Sequence, residues 1–141
     1  MNGSVDEVAD CLGRISKTIK EILVLNAPDT FEKEIRGLCD VRVFRRIEDM
    51  KALAFALSFV TQIAELHRLS RKLSAKAAGD AILWFAYPKG TSKKYSCGFN
   101  RDDGWEVLRQ AGFDSVRQVA IDDDWSALRF RRVEFIKQSK Q

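Results

Sequence analysis

The residues best suited by type to do chemistry are Lys89, Gly90, Thr91, Ser92, Lys93 and Lys94, which follow directly on the apolar stretch Ala81 to Tyr87. Lysine ammonium groups, two hydroxyls and a glycine backbone can gather around a phosphate or carboxylate, because each offers a donor and the lysines add charge. The loop from Pro88 to Phe99 is also longer than the roughly two to six residues usual between a strand and a helix, which marks functional or mobile segments. It lacks the G-x-x-x-x-G-K spacing of a nucleotide phosphate loop. If the strands preceding them run the same way, Asn26 and Asp29 stand near this loop, although Asp29 also suits a helix cap. The candidate ligand-binding set is therefore Asn26, Asp29, Lys89, Thr91, Ser92, Lys93 and Lys94.

Other chemistries find less support. His67 is the single histidine and no serine or cysteine is placed by motif for it to activate. Cys11, Cys39 and Cys97 are odd in number and far apart, which excludes a disulfide framework or a four-ligand zinc site. The triplet Asp122-Asp123-Asp124 points its carboxylates in different directions and reads as a turn. No catalytic residue and no metal site is assigned. Arg68, Arg71, Lys72 and Lys76 line one helix face, and Tyr87, Tyr95 and Phe99 flank the loop lysines. Nucleic-acid binding is thereby kept as an alternative, since solvated basic faces are common.

The elements that must position these residues follow from periodicity. Ala81 to Tyr87 is apolar throughout, as a strand covered on both faces would be, and Pro88 ends it. Glu21 to Ala27 reads as a first strand, and Asp29 with Glu32, Phe31, Ile35 and Leu38 as a short helix. Asp40 to Ile47 alternates like a partly exposed strand. Ala52 to Val60 suits either a strand or the start of a long helix; the rhythm of strand and helix around it selects a strand over Leu53 to Val60, then a helix from Gln62 to about Ala77, stopped by Gly79. A helix with an acidic start at Asn100, Asp102 and Asp103 leads through Trp105 and Leu108 to Gly112. Val116 to Ile121 and Trp125 to Ile136 are separated only by the aspartate triplet, so they form an antiparallel hairpin with a bulge near Arg131 and Arg132. Trp125 is expected to pack with Trp105, and Trp84 in the core.

At 141 residues, 45% of them hydrophobic and 31% charged, the chain fits one domain with an ordinary core. Ser4 to Glu7 has the form of a capping box, so residues 1–13 are expected to hold an N-terminal helix and residues 137–141 a disordered tail. No run reaches the roughly 20 apolar residues of a membrane span, and the acidic N-terminus is unlike a secretory signal, which points to the cytoplasm. A net charge of +4 favours an anionic partner without demanding nucleic acid.

This order of elements resembles the methyltransferase variant of the Rossmann fold, shortened by a strand and helix. The implied α/β architecture is three-layered, with six strands in the order 2-1-3-4-6-5. More narrowly, Leu12 to Ile136 is similar to a small bacterial family, domain of unknown function 3052. That resemblance is carried by Leu25-Asn26-Ala27-Pro28, Leu83-Trp84, Pro88-Lys89, Asp122 and Asp124 to Leu128. Methyltransferases of this type cradle their cofactor with a glycine-rich turn after the first strand, whereas here the turn is Asn26-Ala27-Pro28-Asp29-Thr30. The second strand ends Arg45-Arg46-Ile47 without the acidic residue that would hold a ribose, and Glu48 comes late for that role. The leading expectation is accordingly a non-catalytic module, without cofactor, that recognises a small anion or acidic partner as a monomer or homodimer. The alternative is an S-adenosylmethionine-dependent methyltransferase with an atypical turn.

Overall fold

The computed structural model describes residues 21–37, 41–93, 98 and 104–139. Six strands form one sheet in the order β2-β1-β3-β4-β6-β5: β1 (Glu21–Leu25), β2 (Arg42–Phe44), β3 (Leu53–Phe59), β4 (Ala77–Pro88), β5 (Phe113–Ala120) and β6 (Trp125–Arg132). The first four run parallel, and β6 lies antiparallel to both β4 and β5. The helices are α1 (Asp29–Arg36), α2 (Ile63–Lys76), the short α3 (Glu106–Gln110) and α4 (Val133–Ser139), with a 3-10 turn at Ile47–Asp49.

Alternation along the strands builds two cores, because successive side chains leave a strand on opposite faces. Leu83, Phe85 and Tyr87 point to one face, where Leu66, Leu69 and Leu73 of α2 meet Trp105, Leu108 and Phe130. Trp84 and Ala86 point to the other, with Phe55, Leu57 and Phe59 of β3, Phe31 and Ile35 of α1, and Trp125. Burying each such large side chain contributes about 1.5–3 kcal/mol relative to leaving it in water. The ambiguous stretch is therefore a strand at Leu53–Phe59 followed by a separate helix.

Several boundaries differ from the sequence reading. Helix α2 ends at Lys76 and β4 begins at once at Ala77, so Gly79 is not a stop; it sits at φ +58° where the β3–β4 register jumps. Arg131 holds this irregular start by donating twice to the Asp80 carboxylate, at 3.0 and 2.6 Å, and Arg132 donates to the carbonyls of Gly79 and Ala77. The bulge falls on β5 between Ser115 and Arg117. The change of phase after Arg132 marks the start of α4, which takes in residues 133–139 where a strand end and disordered tail were expected. Ile63, the first residue of α2, is 39% exposed. The expected helix within residues 1–13 lies outside the described residues, as do Asn100, Asp102 and Asp103.

Candidate functional site

Open parallel sheets bind ligands where strand order reverses, because the connections on either side leave to opposite faces and open a crevice between them. Here the reversal lies between β1 and β3. Strand β1 ends at Leu25, and Asn26 turns the chain at φ +59° before Ala27, Pro28 and the start of α1. Asparagine is among the few side-chain-bearing residues that adopt this left-handed conformation readily. Its amide reinforces the turn: Nδ2 donates to the Phe59 carbonyl at 3.3 Å and to Oε2 of Glu65 at 3.1 Å. One side chain thus ties the end of β1 to the end of β3 and the first turn of α2.

A cleft of about 630 Å³ opens there, lined by Asn26, Ala27, Pro28, Asp29, Thr30, Phe59, Thr61, Glu65 and Trp125. That volume suits a small molecule or cofactor. Its aromatic residues pack together: Phe59 meets Trp125 edge-on at 5.1 Å and packs at 5.3 Å on Phe31 from α1. The charged residues in the lining, among those described, are Asp29 and Glu65, both acidic. Asp29 is the first residue of α1 and makes no capping hydrogen bond, so the cap expected of it is absent and Pro28 occupies that place.

The basic loop is placed elsewhere. The Lys89 amide donates to the Asp124 carbonyl at 2.8 Å, and Ser92 Oγ donates to Oδ1 of Asp124 at 2.8 Å. Oδ1 of Asp122 accepts from the amides of Asp124 and Trp125, which fixes the hairpin turn on which the loop rests. None of Lys89, Thr91, Ser92 and Lys93 lines the cleft, and Lys94 lies outside the described residues. The structure therefore brings Asn26 and Asp29 together in the cleft and places Lys89 to Lys93 outside its lining, against the hairpin whose Trp125 is one of the lining residues.

At the end of β2, Arg45 donates to both carboxylate oxygens of Glu32 on α1, at 2.8 and 2.9 Å. That hydrogen bond holds the Glu32 carboxyl below its ordinary value of 4.5. Glu48 is exposed on the 3-10 turn, outside the cleft, its carboxyl lowered chiefly by a backbone hydrogen bond. Trp84 is in the core as expected, whereas Trp125 and Trp105 pack on opposite faces of the sheet. Phe59, Thr61, Glu65 and Trp125 were missed as lining residues, although the strand order itself points to the ends of β1 and β3.

No family model matches the sequence, and no curated protein matches it. The fold is similar to that of magnesium protoporphyrin IX methyltransferase from Synechocystis, solved with bound S-adenosylhomocysteine (TM-score 0.59, 11% identity, 93% of this chain and 82% of that one). It is also similar to the N-methyltransferase NodS of Bradyrhizobium japonicum in complex with S-adenosylhomocysteine (TM-score 0.55, 12% identity, 94% and 89%). A third is the 1,6-didemethyltoxoflavin-N1-methyltransferase of Burkholderia thailandensis, bound to 1,6-didemethyltoxoflavin and S-adenosylhomocysteine (TM-score 0.56, 11% identity, 93% and 79%). The chain has a methyltransferase-like Rossmann fold. The expectation of a cofactor-free, non-catalytic module for a small anion is corrected by these findings: three chains of similar fold were solved with S-adenosylhomocysteine, and among the described residues the cleft lining holds no Lys or Arg.

Proposed function

We propose that this chain is an S-adenosylmethionine-dependent methyltransferase domain whose cofactor turn is built on an asparagine. The observation that carries this reading is the open cleft at the reversal of strand order, with Asn26 at φ +59° beside it. The backbone shape that glycine ordinarily supplies after β1 is supplied by Asn26, so the missing glycines do not remove the turn.

The residues present fit such a ligand. Asp29 and Glu65 give the cleft a negative potential suited to a cation. Phe59 and Trp125, 2% and 4% exposed, give the cleft an apolar floor. When bound, S-adenosylmethionine supplies a methyl group on a sulfonium for attack by a nucleophile. Asn26 holds the turn against the end of β3, and the Phe59–Trp125 wall limits access of water.

A small-molecule acceptor is the reading we adopt, in keeping with the porphyrin and toxoflavin substrates named for two similar structures. No helix among the described residues is long and apolar enough to cross a membrane. We further propose a bacterial, cytoplasmic setting, on the resemblance read in Leu25 to Pro28, Leu83-Trp84 and Asp124 to Leu128, although no family model matches the chain. Calorimetric titration tests the cofactor: S-adenosylhomocysteine is expected to bind with Kd of about 10–100 μM and inorganic phosphate to give no heat. Absence of S-adenosylhomocysteine binding at about 1 mM overturns the proposal.

A further inference from the structure

We infer that Glu65 is the cation-recognising group of this cleft, selecting ligands that carry an ammonium over those with the adenosyl portion alone. The inference rests on the cofactor reading above and adds a residue that selects within it. Glu65 lies in the first turn of α2 and reaches the lining of the cleft. Among the described residues its hydrogen-bond partner is Nδ2 of Asn26, at 3.1 Å. Since Asn26 is fixed in a left-handed turn and also donates to the Phe59 carbonyl, the carboxylate is anchored where β1 and β3 diverge.

Two further observations assign Glu65 this role. The end of β2, the other edge at which an acid would reach such a crevice, carries Arg45, and Arg45 is engaged by Glu32. Among the described residues no Lys or Arg lines the cleft to neutralise Glu65. One neutral amide leaves most of a carboxylate's acceptor capacity unfilled, and an ammonium brings three donors and the complementary charge. The other acid in the lining, Asp29, is exposed and has no side-chain clamp.

The test compares two ligands on the full chain by calorimetry. S-adenosylhomocysteine has an amino-acid end, ammonium and carboxylate, whereas 5′-methylthioadenosine has the same nucleoside and sulfur with neither. Loss of the acid at Glu65 weakens the first ligand only if the ammonium is what it holds. Glu65→Gln is expected to weaken S-adenosylhomocysteine about tenfold and leave 5′-methylthioadenosine unchanged. Equal losses for both ligands, or no loss for either, overturn the inference, as does a selective loss in Asp29→Asn with Glu65→Gln unaffected. Should Glu65→Gln not fold, Asn26→Gly keeps the left-handed turn while releasing the clamp. A selective loss of a few-fold on S-adenosylhomocysteine then supports the inference, and unchanged selectivity overturns it. If the unaltered chain binds neither ligand, the cofactor reading itself fails and this inference falls with it.

Discussion

Two stretches share the carboxyl edge of the sheet and differ in what they build. Lys89 to Lys93 has the cations and hydroxyls of a ligand loop, yet its described hydrogen bonds turn toward Asp124 and fasten it to the hairpin. Asn26 to Thr30 has a proline, no glycine and an ordinary composition, yet it lines a concave cleft with Phe59, Glu65 and Trp125. Strand order decides between them: β1 and β3 flank the reversal, while β4 has β3 and β6 as its neighbours. A site's place in an open sheet follows from topology before it follows from charge.

Substitutions around the two stretches are expected to have different effects. Trp125→Ala removes a buried wall shared by the cleft and the α1-side core, and is expected to cost about 3–5 kcal/mol in denaturant unfolding and to abolish S-adenosylhomocysteine binding. At Asn26 the comparison is between two replacements. Both lose the amide, but Ala in the left-handed region is strained, so Asn26→Ala should unfold about 1–2 kcal/mol more easily than Asn26→Gly. Equal stability of the two would show that the turn does not depend on its backbone angle. On the loop side, Ser92→Ala is expected to cost roughly 1 kcal/mol through the lost bond to Asp124, with ligand affinity unaltered. Replacing Lys89 and Lys93 together by Ala should change S-adenosylhomocysteine affinity less than about twofold; a tenfold loss in calorimetry would join the two stretches into one site.

The smallest effect expected is at the Glu32–Arg45 pair, a partly exposed bridge worth about 1 kcal/mol or less. Because the folded carboxyl lies below its ordinary 4.5, the contribution is full above that pH and is lost as pH falls through the lowered value. The stability difference between the unaltered chain and Glu32→Gln, measured by thermal melts from pH 7 to pH 3, should therefore shrink toward the acid end.

Much of the frame was legible because burial imposes period. Leu66, Leu69 and Leu73 recur at helical spacing, whereas over Ala52 to Val60 period alone left strand and helix open, and the rhythm of neighbouring elements selected the strand on which Phe55, Leu57 and Phe59 share one face. The C-terminal boundary was misread because Val133 and Phe135 look like strand residues in a shifted phase, when the shift is the change to α4. Parity along β6 would have separated Trp125 from Trp105: Trp125 and Ala127 share one face, Leu128 and Phe130 the other. Asn26 was identified and its turn misjudged, since the absence of glycine was equated with the absence of the conformation glycine permits. Glu65 carried no local signal, because its place in the cleft depends on contact with a turn 39 residues away.

The most direct test of the account is a map of amide and indole chemical shifts on adding S-adenosylhomocysteine to the ¹⁵N-labelled chain. Perturbations concentrated at Asn26, Asp29, Thr30, Thr61, Glu65 and the Trp125 indole, with Lys89 to Lys93 unmoved, are the result predicted. Perturbations confined to Lys89 to Lys93, or none at saturating ligand, would contradict it.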